Sequence, residues 1–272
     1  WYGSAMALAV AIVERLKAGG RGFADLLTPP ACMLCRTPVA TARTLCADCW
    51  SALPLLGDAR CQQCGTPLPE SHATESHCLS CLKEPPPFDA ALAPFLYDGS
   101  ARQLVIRFKN GRESWAAPLA RDMARAAPAW IGPERLLVPV PLHRLRLARR
   151  GYNQALLLAR ALARAGDAEL APDWLERVKN TPTTRGLHRQ ARQRNVIGAF
   201  RLRSGFETRI AGRQITLVDD VMTTGATAAA CAKILRRAGA ATISVLTYAR
   251  VAGDQSAAYL AGESKQEADG QG

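Results

Sequence analysis

The sequence predicts an α/β domain built on a parallel sheet and preceded by a small cysteine-rich domain. Three observations carry this. Eight of the nine cysteines fall between Cys32 and Cys81, and only Cys231 lies beyond them. The run Glu84, Pro85, Pro86, Pro87 then forms a stiff joint, because successive prolines favour extended backbone and cannot enter a helix or a central strand. Beyond the joint, short apolar runs alternate with helical patterns, and strand, helix, strand in repetition means a parallel sheet. The expected division is an amphipathic helix over 1–27, the cysteine-rich domain over 28–84, the α/β domain over 85–251 and a disordered tail over 252–272.

The elements follow in order. Residues 91–97 suit a strand, and residues 103–109 a helix with Leu104, Val105 and Phe108 on one face. A second helix is expected over 116–127. Residues 136–140 read as a short buried strand entering a loop broken by Pro141, followed by a Leu- and Ala-rich helix over 153–165. Residues 181–195 are polar and basic and contain Pro182 and Gly186, which predicts a mobile loop. The β-branched run 214–218 predicts a strand, 226–237 a helix ended by Gly239, and 242–248 another buried strand. The tail turns to Gly, Ser, Gln and Glu, a composition that cannot bury a core.

The chain has 272 residues and a formal net charge of +12, most of it from arginines spread along the sequence. That implies either a positive surface field for phosphates and nucleic acids or a genomic bias toward arginine. No apolar run reaches the roughly 20 residues of a transmembrane helix. Residues 5–13 stop at Glu14 and Arg15, without the basic start or cleavage site of a secretory signal, so a cytoplasmic protein is expected, with Met6 as its initiator.

The most informative stretch is Val218, Asp219, Asp220, Val221, Met222, Thr223, Thr224, Gly225, Ala226, Thr227. An apolar strand arrives at two aspartates, turns through small residues and enters a helix. Ligands of parallel sheets bind at that carboxyl edge. Backbone N–H groups at the helix start favour an anion, Gly225 permits close approach, and three threonine hydroxyls add donors, so a phosphate fits there. No lysine follows the glycine, which excludes an ATPase loop. Adjacent carboxylates repel phosphate but accept hydrogen bonds from a diol such as ribose. A plain helix cap would need one acid, not two followed by Thr-Thr-Gly-Ala-Thr. Just after the preceding strand, at the same sheet edge, Arg149 and Arg150 are placed to meet a pyrophosphate, although arginines there also suit a solvated face.

Cys32/Cys35, Cys46/Cys49, Cys61/Cys64 and Cys78/Cys81 form four CxxC knuckles, enough thiolates for two tetrahedral four-cysteine zinc sites. The spacing leaves the pairing of knuckles open. The favoured arrangement joins neighbours: Cys32, Cys35, Cys46 and Cys49 in one site, Cys61, Cys64, Cys78 and Cys81 in the other. Four-sulfur sites leave no open position for water, so both zincs are expected to be structural. Cys231 is expected to be packed and inert.

Residues 218–227 resemble the PRPP-binding signature of type I phosphoribosyltransferases. The resemblance implies that Asp219 and Asp220 hold the ribose hydroxyls, that Thr223, Thr224, Gly225, Ala226 and Thr227 form the 5′-phosphate loop, with Val221 and Met222 in the same PRPP-binding stretch, and that Mg²⁺ accompanies PRPP. It also makes Leu142, His143 and Arg144 the segment matching the pyrophosphate loop. Pro139 to His143, Arg149 to Gln154, Arg192 with Asn195, and Gly198-Ala199-Phe200 further resemble the ComF family, double zinc ribbon proteins linked to natural DNA uptake. That family usually has glutamine where this chain has Thr184. Arg185, His188, Arg189, Arg192 and Arg194 would close over the substrate as a lid. Two functions follow: a PRPP-binding protein that handles single-stranded DNA alongside uptake-machinery proteins, or an active phosphoribosyltransferase that joins a nitrogen acceptor to PRPP and releases pyrophosphate. With only Tyr152 and Phe200 near the basic segments for stacking, little sequence preference on DNA is expected.

Overall fold

The computed structural model describes residues 29–69, 76–180 and 196–252. The expected helix over 1–27, the basic loop over 181–195 with Arg192, and all but the first residue of the expected tail lie outside these residues. The chain divides into two compact units, one ending at Ala52 and the other beginning at Leu53.

In the first unit, an antiparallel bridge between Ala31 and Pro38 closes a tight turn in which the Cys32 N–H donates to the Thr37 carbonyl at 2.8 Å. Helix α1, Ala47–Ser51, follows with Cys46 as its N-cap. The second unit repeats this design. Arg60 bridges Pro67, the Cys61 N–H donates to the Thr66 carbonyl at 2.8 Å, and helix α2, Leu79–Lys83, starts from Cys78. The sequence echo is Cys-x-x-Cys-x-Thr-Pro, at 32–38 and again at 61–67.

The rest of the second unit is the α/β domain. Its strands are β1 (Ala90–Leu92), β2 (Phe95–Leu96), β3 (Arg135–Pro139), β4 (Glu169–Leu170), β7 (Gln214–Met222) and β8 (Thr242–Arg250), arranged β1-β8-β7-β3-β4 with β2 also on β8. Every pairing in this sheet is parallel. A separate antiparallel pair joins β5 (Leu175–Arg177) to β6 (Phe200–Leu202). The helices are α3 (Gly99–Lys109), α4 (Ala116–Ala126), α5 (Arg144–Arg150), α6 (Gln154–Gly166), α7 (Glu207–Ile210) and α8 (Ala226–Arg237). Helices α4 and α6 pack together over one face of the sheet, while α8 and the β5–β6 pair cover the other.

Both faces being covered, the central strands are buried almost throughout, as a parallel sheet requires. Ile215, Leu217, Ile243 and Val245 meet Cys231, Ala232 and Leu235 of α8, and Cys61, Cys64 and Cys81 belong to this same core. On the opposite side, Leu119, Met123, Leu158 and Leu162 are fully buried.

Three sequence expectations need correction. Residues 91–97 are not one strand: Ala93 and Pro94 interrupt it, since proline has no N–H for the ladder. The stretch after Pro141 is not all loop, because residues 144–150 close a helix between the His143 N-cap and a left-handed Gly151 at φ 86°. Strand β7 does not stop at Val218. Pairing with β8 carries it through both aspartates, in register Asp219 with Thr247 and Met222 with Arg250.

Candidate functional sites at the sheet edge and the cysteine knuckles

Because β7 continues through residue 222, successive side chains leave it on opposite faces of the sheet. Asp219 shares a face with Ile215 and Leu217, toward α8. Asp220 points the other way, is 6% exposed, and its carboxylate accepts an ion pair from Lys109 Nζ at 3.0 Å, at the end of α3. The two carboxylates therefore have different electrostatics. Burial first, and then the neighbouring Asp220, push the Asp219 carboxyl up to about 7, against the opposing pull of the Asp220 N–H, Lys109 and Arg177. Asp219 is partly exposed, at the open edge of the sheet. The Asp220 N–H donates to Asp219 Oδ1 at 2.8 Å and holds that carboxylate in place.

After Met222 the chain turns through Thr223 and Thr224 to Gly225, which caps α8 at φ 78°. Glycine has no side chain to offer the helix start, and the local relief among the described residues is the Ala226 N–H donating to Thr224 Oγ1 at 3.4 Å. The first turn of α8 thus presents unsatisfied amides and the positive end of a helix dipole beside three threonines. Thr223, Thr224 and Thr227 are all partly exposed.

The arginine-rich segment reaches the same edge. Strand β3 pairs Pro139 with Val218, the Val140 N–H donates to the Val218 carbonyl at 2.9 Å, and His143 bridges to Arg177 of β5. His143 is buried, with Nδ1 accepting from the Leu145 N–H at 3.3 Å, so it serves as a cap. Leu142 is half-buried and Arg144 exposed. The residues after them are largely accounted for by the fold. Arg150 donates to Gln154 Oε1 at 2.6 Å, and Asn153 caps α6 through the Ala155 N–H at 3.1 Å while donating to the Val140 carbonyl at 3.1 Å. The Tyr152 hydroxyl donates to the Phe108 carbonyl and accepts from the Gly111 N–H, which pins the end of α3 and so Lys109. Arg144 and Arg149 remain exposed on α5. Burial, then Arg150 and Arg149, push the Arg146 guanidinium down, and burial, then Arg146, does the same to Arg177, which marks a concentration of positive charge beside Asp219. Arg177 also lies over the Phe200 ring at 5.2 Å.

The cysteines gather in two tetrads, Cys32, Cys35, Cys46, Cys49 and Cys61, Cys64, Cys78, Cys81, each with its sulfurs within 4.8 Å of one another. Cys35 Sγ lies 3.5 Å from Cys46 Sγ, and Cys64 Sγ lies 3.7 Å from Cys78 Sγ. Tetrahedral zinc with sulfur bonds of about 2.3 Å needs sulfurs about 3.8 Å apart, so the donor set fits. Backbone N–H groups of Leu34 and Cys46 donate to Cys32 Sγ at 3.5 and 3.3 Å, as thiolate ligands require. In each tetrad two thiols are pulled down and two pushed up. The Thr37 hydroxyl holds Cys35 down to about 6 while burial pushes Cys49 up to about 12, and in the second tetrad Cys61 is lowered by Cys64 while Cys81 is raised by Cys61. Such proton sharing among close sulfurs is what a dication replaces.

A double zinc ribbon domain model matches residues 23–82. DNA utilization protein YhgH of Escherichia coli K12 is 35% identical over 228 residues, covering 81% of this chain and 96% of its own. Competence protein F of Haemophilus influenzae is 34% identical over 226 residues, covering 80% of this chain and 96% of its own. The chain belongs to the ComF family. Competence protein ComFC of Bacillus subtilis is 25% identical over 220 residues, 76% of this chain and 84% of that one. Among solved structures, TT1426 from Thermus thermophilus overlaps at a TM-score of 0.27 and 18% identity over 53% of this chain and 85% of its own.

In this ComF-family chain the two four-cysteine sites suit two structural zinc ions. No helix of the described residues is long and apolar enough to cross a membrane. Cys231 is fully buried, and burial pushes its thiol far up, which leaves it inert. Three residues at the sheet edge escaped the sequence reading: Lys109, Arg177 and Arg250. Each ends a helix or strand, and its role depends on what the fold places opposite it. Only Arg250 carried a local signal, a charge at the end of an otherwise uncharged strand.

Proposed function

We propose that this protein serves DNA uptake as a single-stranded DNA-binding protein whose sheet-edge loop holds a phosphoribosyl ligand, PRPP with Mg²⁺. The observation that carries the reading is the uncapped start of α8 at Gly225, set between three threonines and next to Asp219 and Arg177. An anion at that helix start gains amide donors and the dipole. In this reading Thr223 to Thr227 take the 5′-phosphate, Asp219 accepts from a ribose hydroxyl, and Leu142, His143 and Arg144 face the pyrophosphate. Asp220 acts through Lys109, whose ion pair fixes the end of β7. Mg²⁺ would be held through the phosphate oxygens and Asp219, where it supplies charge neutralisation. The names of the relatives, DNA utilization and competence proteins, support the uptake role. The exposed arginines of α5 support contact with a nucleic-acid backbone.

The deciding experiment is calorimetric titration of Mg²⁺-PRPP into the purified protein and into Asp219→Asn, with the thermal melt of each as a folding control. Saturable binding that is weakened or lost in the folded variant is expected. Absence of binding in the parent protein would sink the ligand assignment and leave the basic surface as the working part.

A second reading, an active phosphoribosyltransferase, is favoured by Asp219 itself. It lies beside Arg177, at the edge where α8 starts, and such preorganised positive groups would offset the charge of a departing pyrophosphate. Pyrophosphate released only when a nitrogen acceptor is added would support it. Unchanged PRPP across an acceptor panel would leave binding as the function.

A further inference from the structure

Arg250, the last residue of β8, is 6% exposed. Its Nε donates to the Cys64 carbonyl at 3.0 Å, while Nη1 donates to the carbonyls of Met222, at 3.3 Å, and Thr223. One guanidinium thus joins a zinc knuckle to the backbone that launches the anion loop. The planar fork suits this role, since it can satisfy three carbonyls at once without free rotation. A second route runs alongside. Gln63, between the two cysteines of the knuckle, donates to the carbonyls of Pro86 and Phe88 at 3.3 Å, and the Phe88 ring approaches Gly225.

Charge reinforces the connection. A buried guanidinium without a counter-charge is costly. No carboxylate among the described residues pairs with Arg250. A zinc ion with four thiolates carries two net negative charges, and Cys64 belongs to such a tetrad. Arg250 acts electrostatically on Cys64, so the loaded metal site is a compensating anion for it, and losing the metal removes that compensation. The first tetrad belongs to the other compact unit. There Cys35 is exposed, and the left-handed position in its turn is Arg36 rather than a glycine pressed against other backbone.

We propose that Arg250 is a positioning residue that makes the conformation of the anion loop depend on the metal in the second cysteine site, Cys61, Cys64, Cys78 and Cys81, and not on the metal in the first. For ligand binding this rests on the phosphoribosyl reading above, but the structural dependence does not. By linkage, a ligand that orders the loop strengthens zinc binding at the second site by the same factor that zinc strengthens the ligand.

The test uses the full-length zinc-loaded protein under a colorimetric chelator, with hydrogen exchange followed at residues 221–229, which include the Ala229 N–H that donates to the Gly225 carbonyl. Two phases of zinc release are expected, the fast one leaving loop exchange unchanged and the slow one coinciding with loop deprotection. Cys35→Ser, which disables the first site, should abolish the fast phase alone. Arg250→Met should raise loop exchange by about tenfold with both zincs still bound, and Arg250→Lys, which keeps the charge and some donors, should recover part of that protection. Loop protection that survives loss of both zincs, or that falls with the first, overturns the proposal, as does parent-like exchange in Arg250→Met. If Arg250→Met does not fold, the parent protein's release phases and Arg250→Lys still decide. Neither readout needs PRPP, so a parent protein that binds no PRPP removes the ligand reading and leaves this one standing or falling by exchange alone.

Discussion

Asp219 and Asp220 are adjacent in the chain but live in different surroundings, because a strand sends them to opposite faces. Asp220 has its own cation, Lys109, at 3.0 Å, whereas Asp219 has burial and a neighbouring carboxylate working against its charge. The consequence for stability has a definite sign. With a folded-state value of about 7 against an ordinary 3.8, Asp219 holds its proton in the folded protein where the unfolded chain has lost it. Its stabilising contribution is complete below the ordinary value and disappears as pH rises through the folded one. Asp219→Asn mimics the protonated form. Between about pH 5.5 and 7, with zinc bound, the melting temperature of Asp219→Asn relative to the parent protein should therefore climb with pH and level off above that. A difference that stays flat across that range would mean Asp219 is ionised throughout.

At the scale of elements, the two cysteine turns explain where glycine is required. Arg36 and Gly65 occupy equivalent left-handed positions, at φ 70° and 65°, so conformation alone does not demand glycine. Packing does, because a Cβ at Gly65 would sit 2.7 Å from the Ala91 carbonyl oxygen, backbone that cannot swing aside. At Gly225 a Cβ would meet the Met222 Cε at 2.8 Å, the far end of a flexible side chain. Gly225→Ala should then cost mainly the left-handed penalty, about 1–2 kcal/mol, and Gly65→Ala clearly more, with Arg36→Gly close to neutral. Urea unfolding of the three variants checks the ranking, and equal losses at 65 and 225 would contradict it.

The same elements indicate how much was readable beforehand. Helix 226–237, the cysteine spacing and the 242–248 run carry strong local patterns and were legible, as was the passage of the acidic, threonine-rich stretch from a strand into a helix. The continuation of β7 through two aspartates was hidden, since strand propensity argues against acids and only pairing with β8 overrides it. Helix α5 was masked by its arginines, which read as a solvated loop. Lys109, Arg177 and Arg250 acquire their roles from residues 27 to 186 positions away, and no local pattern encodes that.

Over the whole molecule the formal charge of +12 is unevenly available. Around the β5–β6 pair, arginines are matched by acids: Arg201 with Glu176, Arg203 with Asp173, and Arg209 and Arg213 with Glu169. Arg236 is matched by Asp89. Helix α5 presents Arg144 and Arg149 exposed, beside Arg146 and Arg150, and neither Arg144 nor Arg149 enters a salt bridge among the described residues. Loaded cysteine tetrads add negative charge at the knuckles, and among the described residues α5 is a concentrated positive feature that reaches Asp219 through Arg146 and Arg177. If single-stranded DNA is held there, its affinity depends on counterions released by those arginines. Changing Arg144 and Arg149 together to glutamine should lower the slope of log affinity against log salt by about 1.4, at about 0.7 for each phosphate that is no longer neutralised. The matched pair Arg201→Gln and Arg203→Gln should leave the slope unchanged, since acids already neutralise those side chains. Equal slopes in both double variants would place the DNA on another surface.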